Sequence, residues 1–148
     1  MGQSNRKGGF MAGRDSRKQS DHDDAVNAAA QIYEEHGKHA WINPDGEKNK
    51  KWAGRYIDVI ATENEQATTG WVIEIETEDS VSEGEAKSQW KDYDSTYSKK
   101  WFLAVPLGSE QKAEALVKKH GIQNCEIITW QRGDDGTHTF WGLPGLGK

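Results

Sequence analysis

The stretch WVIEIETEDS, residues 71–80, places Glu74, Glu76 and Glu78 at every second position, and YIDVI, residues 56–60, sets Asp58 between Tyr56 and Ile60. In an extended chain every second side chain points the same way. Val72, Glu74, Glu76 and Glu78 therefore share one face, while Trp71, Ile73, Ile75 and Thr77 share the other. By the same rule Asp58 lies on a face with two bulky apolar neighbours, where a solvated carboxylate does not belong. On antiparallel strands about 5 Å apart, Asp58 falls opposite or diagonal to Glu74. Two carboxylates ~4 Å apart at a half-buried site repel by roughly 4 kcal/mol at an effective dielectric of about 20. Such a cluster must bind protons, pair with a base such as Lys87 or Lys91, or hold a divalent cation. Mg²⁺ suits it, because Mg²⁺ takes carboxylate oxygens and keeps several waters. The expectation is that Asp58, Glu74 and Glu76 converge on one Mg²⁺ or Mn²⁺ site.

The elements that must position these acids follow from periodicity and end signals. SDHDDAVNAAAQIYEEHG reads as a helix with Ser20 or Asp21 as N-cap and Gly37 as its terminating glycine. HAWINP and GRYIDVIA read as a hairpin around the exposed turn DGEKNKKWA, and WVIEIET as a third strand. GEAKSQWKDYDSTY is a helix burying Ala86, Trp90, Tyr93 and Tyr97. WFLAVP, apolar throughout, reads as a central strand. Ser109 caps a helix burying Ala113, Leu116, Val117 and His120, and CEIITWQ is the last strand. The order predicts an α/β fold: a mixed central sheet of about five strands with helices on both faces. WVIEIET and WFLAVP, joined through one helix, should be parallel neighbours at its middle.

The rest of the chain narrows the function. A length of 148 residues fits one domain, read as 20–131, with a basic arm over 1–19 and a turn-rich tail over 132–148. The arm carries Arg6, Lys7, Arg14, Arg17 and Lys18 and too little apolar surface to order itself. The formal charge of −5 argues against general coating of nucleic acid, so contact with phosphate must be local. No apolar run suits a membrane span or a signal peptide, and the single cysteine, Cys125, fits a reducing interior; the reading is a soluble cytoplasmic protein. The five histidines are scattered, without zinc-site spacing. Neither a glycine-rich phosphate loop nor a nucleophile elbow occurs.

Asp58 followed by Glu74-Ile75-Glu76, on successive strands after an N-terminal helix, resembles the PD-(D/E)XK nuclease superfamily over residues 21–131. The resemblance implies the restriction-endonuclease-like fold and Mg²⁺-dependent phosphodiester hydrolysis in DNA or RNA. It makes Asp58, Glu74, Glu76 and the Ile75 carbonyl the metal ligands. QWKDY resembles the Gln-x-x-x-Tyr element of some members, which implies active-site roles for Gln89 and Tyr93, while Glu34 or Glu35 matches an acid that others carry on the first helix. Glu76 replaces the usual lysine, for which Lys87 is the nearest substitute, and Pro44-Asp45 leaves Asp45 as a competitor to Asp58. The alternative is an inactive nuclease fold serving as an assembly or binding module, for example in a phage particle, where it would be virion-associated, or in a DNA-processing complex. Its protein partner would be reached through the arm or the tail.

Overall fold

A computed structural model describes residues 16–45 and 47–146. Helix α1 spans Ser16–Glu35 and buries Ala25, Val26, Ala29 and Tyr33 along one stripe. Gly37, at φ 80, turns the chain in the left-handed region where glycine carries no Cβ penalty. Strands β1 (His39–Ile42), β2 (Val59–Thr62) and β3 (Gly70–Ile75) form an antiparallel meander. A short 3₁₀ turn, Glu78–Ser80, leads into a continuous helical crossover: α2 (Glu83–Glu85), a π-helical turn (Ala86–Trp90) and α3 (Lys91–Thr96). Strand β4 (Trp101–Pro106) pairs parallel with β3, and after α4 (Glu110–Lys119) strand β5 (Cys125–Arg132) pairs parallel with β4. Strand β6 (His138–Trp141) closes the far edge antiparallel to β5. The sheet runs in order from β1 to β6.

Alternation along the central strands divides the core. Val59, Ala61, Ile73, Ile75, Phe102 and Ala104 face α1, whereas Ile60, Val72, Leu103 and Val105 face Ala86, Trp90, Tyr93 and Leu116 of the crossover and α4. The mixed α/β architecture with helices on both faces, the parallel β3–β4 pair and the fully buried Leu103 agree with the sequence.

Four details differ. Helix α1 already includes Ser16, so Ser20 and Asp21 sit inside it instead of capping it; Lys18 and Gln19 are good helix formers and extend the helix backwards. The expected arm over 1–19 thus gives its last four residues to α1, and residues 1–15 lie outside the described residues. Ser109 precedes α4 but makes no capping bond, and His120 of that helix is only partly covered. The tail expected to lack further elements holds β6: Phe140 stacks on Trp130 with ring centroids 6.2 Å apart, while polar His138 and Thr139 dilute the strand pattern. Finally, β2 begins only at Val59, so Asp58 stands in a bend and does not alternate with Tyr56 and Ile60.

Candidate functional site

The bend at Asp58 gives the site its shape. Val59 pairs with Ile73, but the ladder stops there and the Asp58 side chain takes over: its Oδ2 accepts from the Ile75 N–H at 2.8 Å. The Asp58 N–H in turn points to Glu74 Oε1 at 3.3 Å. These two bonds knit Asp58 to the end of β3, and both carboxylates are buried, at 4% and 6% exposure.

From this junction a polar network runs two ways. Toward α1, the Asp58 carboxylate meets His22, whose Nε2 lies 3.0 Å from Asp58 Oδ2. The other ring nitrogen, Nδ1, lies 3.1 Å from Asp23 Oδ1 and 3.5 Å from Asp45 Oδ2. Asp45 belongs to the β1–β2 loop, and its N–H donates to Asp23 Oδ1 at 3.2 Å. Buried Asn43 shapes that loop: its Nδ2 donates to the Lys50 and Ile57 carbonyls, and its Oδ1 accepts from the Asn49 and Lys50 N–H groups.

Toward the crossover, Glu74 follows Val72 onto the face covered by the π-helical turn. With its amide nitrogen toward the carboxylates, Gln89 donates to Glu74 Oε2 at 3.2 Å and to Glu85 Oε1 at 2.7 Å. The π turn contains Gln89 and Trp90 together, and such turns recur at functional sites. Glu76, just past β3, is held by two donors, Ser80 Oγ at 2.5 Å and Trp90 Nε1 at 2.9 Å. Its main chain is fixed by Ala104 and by the Trp130 indole.

Electrostatics follow the burial. Burial, reinforced by the charges of Asp58, Glu76 and Asp45, holds the Glu74 carboxyl well above the usual carboxylate range. Burial and then neighbouring Glu85 push Glu76 up to about 8 against its hydroxyl and indole donors. Burial alone would lower the His22 pKa, but Asp58, then Asp23 and Asp45, raise it to about 10. Among the described residues no lysine or arginine contacts Asp58 or Glu74; their partners are an imidazole, two backbone amides and the Gln89 amide.

The residues read from the sequence therefore fall into distinct places. Asp58 and Glu74 adjoin, Gln89 stands beside Glu74, and Ile75 engages Asp58 through its N–H. Asp45 does not displace Asp58 but joins it around His22. Among the described residues, the group that could hold a cation is His22, Asp45 and Asp58, with one ligand atom from each all within 4.8 Å of one another; Glu74 and Glu76 are not part of it. Lys87 is exposed on the crossover, and Tyr93 is a core residue. Glu34 and Glu35 are exposed at the far end of α1, about 18 Å along the helix from His22 at 1.5 Å per residue. What α1 contributes is His22. Its signal in the sequence was slight: one histidine among Asp21, Asp23 and Asp24, without a partner at metal-ligand spacing.

These features define a mixed α/β protein with a buried carboxylate–histidine site at the junction of β2, β3, α1 and the crossover. Comparison with protein families, curated proteins and solved structures returns no match. No helix among the described residues is long and apolar enough to cross a membrane.

Proposed function

We propose that the protein is a divalent-cation-dependent nuclease of restriction-endonuclease-like architecture, with DNA as its first candidate substrate and RNA as the second. The observation that carries this reading is the abutment of Asp58 and Glu74 from adjacent strands, buried and untouched by lysine or arginine among the described residues. The helix, three-strand meander, helical crossover and parallel strand supply the order that the resemblance implies. The donor set fits a cation that displaces a proton from His22: His22, Asp45 and Asp58 would then hold it beside Glu74. A divalent ion there supplies charge neutralisation and Lewis-acid polarisation of a phosphate. Gln89, anchored between Glu74 and Glu85, is placed to orient a phosphate or an attacking water. The loop that delivers Asp45 also carries Lys48, Lys50 and Lys51, whose ammonium groups lie over the rings of Tyr56 and Trp41, suiting it to a phosphate backbone.

One observation favours the binding-module alternative. Glu76, standing where the resemblance expects lysine, is 1% exposed and accepts from Ser80 and Trp90, so it serves the core. Cutting assays on plasmid, oligonucleotide and RNA with Mg²⁺ or Mn²⁺ separate the two readings. The wild type should cut, and Asp58→Ala should cut at least about 1,000-fold more slowly, as expected when several kcal/mol of charge stabilisation is lost. A wild type that binds the cation yet cuts none of these substrates would leave the module reading.

A further inference from the structure

The sequence points to an all-oxygen Mg²⁺ or Mn²⁺ site, but the cluster that assembles contains an imidazole. We propose that His22, Asp45 and Asp58 form a site selective for a first-row transition-metal dication of the Mn²⁺ or Zn²⁺ kind over Mg²⁺. The proposal deepens the cation part of the reading above and does not require that the protein cut anything.

Three separate segments converge here: α1 through His22, the β1–β2 loop through Asp45, and the entrance to β2 through Asp58. Ligands at about 2.1 Å from one small ion lie roughly 3–4 Å apart. The 3.0 Å from His22 Nε2 to Asp58 Oδ2 falls in that range, and one ligand atom from each of His22, Asp45 and Asp58 lies within 4.8 Å of the other two. The groups are also pre-positioned. Asp23 Oδ1 faces Nδ1 at 3.1 Å, the carboxylate support that orients a ligating imidazole through its other nitrogen. Asp58 is held by the Ile75 N–H, and Asn43 fixes the loop that carries Asp45.

The ligand types then decide the ion. Mg²⁺ is a hard cation that prefers carboxylate oxygens and water. Imidazole nitrogen is a better ligand for first-row transition ions than for Mg²⁺, modestly so for Mn²⁺ at the start of the series and more so for Zn²⁺. One buried histidine among carboxylates therefore shifts the preference away from Mg²⁺.

The test is calorimetric titration of the full chain, stripped with EDTA and dialysed, with MnCl₂ and separately MgCl₂. It is paired with Mn²⁺-induced broadening of the His22 imidazole signals in NMR. The expected results are Mn²⁺ binding at least ~10-fold tighter than Mg²⁺, and selective broadening of His22. His22→Gln should weaken Mn²⁺ at least ~10-fold while changing Mg²⁺ by less than about 3-fold, and Asp45→Asn should weaken both. Equal affinities for the two ions, or Mn²⁺ binding unchanged in His22→Gln, would overturn the proposal. Should His22→Gln fail to fold by circular dichroism, wild-type broadening and the partly exposed Asp45→Asn decide instead; no broadening at His22, or unchanged affinity in Asp45→Asn, overturns it. Selective Mn²⁺ binding without nucleic-acid cutting would support this inference while removing the hydrolysis reading.

Discussion

Glu76 spends its two oxygens on a serine hydroxyl and a tryptophan indole inside the core, and this makes it a sensor of the alkaline limit of the fold. Burial pushes its carboxyl up to about 8 in the folded protein, from the ordinary value of 4.5. A raised carboxyl holds its proton in the folded state over a pH range where the unfolded chain has lost it, so its contribution is complete below about 4.5 and disappears as pH rises through about 8. His22, raised to about 10 from 6.5, acts with the same sign over a higher window. Thermal unfolding in EDTA should therefore show stability falling from pH 5 to 9, by about 1.4 kcal/mol per pH unit for each proton involved. In Glu76→Gln the fall between pH 5 and 8 should shrink by one proton's worth. An unchanged slope in that variant would show that Glu76 ionises freely in the folded protein.

Between strands, the informative element is the β1–β2 loop. Its residues are polar and charged, yet Asn43 at 3% exposure gathers the Lys50 and Ile57 carbonyls and the Asn49 and Lys50 amides with one side chain. Asn43→Ala strands these groups, the Ile57 carbonyl among them in a buried setting, and should cost roughly 2–4 kcal/mol. The loss should register in chemical denaturation, and hydrogen exchange should accelerate at the Asn49 and Lys50 amides before the sheet opens. Because the same loop delivers Asp45, metal affinity should fall in this variant even though no ligand is changed. Undiminished affinity would mean that the loop is held in place by other contacts.

Across the molecule, β6 and the segment after it close one side of the sheet. Phe140 stacks on Trp130, the Tyr33 hydroxyl donates to the Pro144 carbonyl at 2.7 Å, and Gly145 passes so close to Trp71 that a Cβ there would sit 2.6 Å from the indole. Cutting the chain after Arg132 uncovers Trp130, Trp71 and Tyr33 together. Tm should fall by about 10 °C or more, at some 2–4 °C per kcal/mol for a chain of this size. A truncated protein that keeps its Tm would show that this segment only rests on the sheet.

The order of elements, the buried WFLAVP strand parallel to β3, and the aromatic face Trp90, Tyr93 and Tyr97 were legible in the sequence, because they depend on periodicities that local geometry imposes on hydrophobic residues. The acids at 58, 74 and 76 were expected at a half-buried site and are buried, although Asp58 reaches its place through a bend and not through strand alternation. Their grouping was not legible. Which carboxylates meet depends on where the β2–β3 ladder breaks, and that break lets the Asp58 side chain replace a main-chain partner of Ile75. His22 and Asp45 join Asp58 only because α1 packs across the sheet and Asn43 folds the loop back toward it. Periodicity reports which way a side chain faces along its own element; the distance between side chains 36 residues apart, as His22 and Asp58 are, is set only when the elements pack.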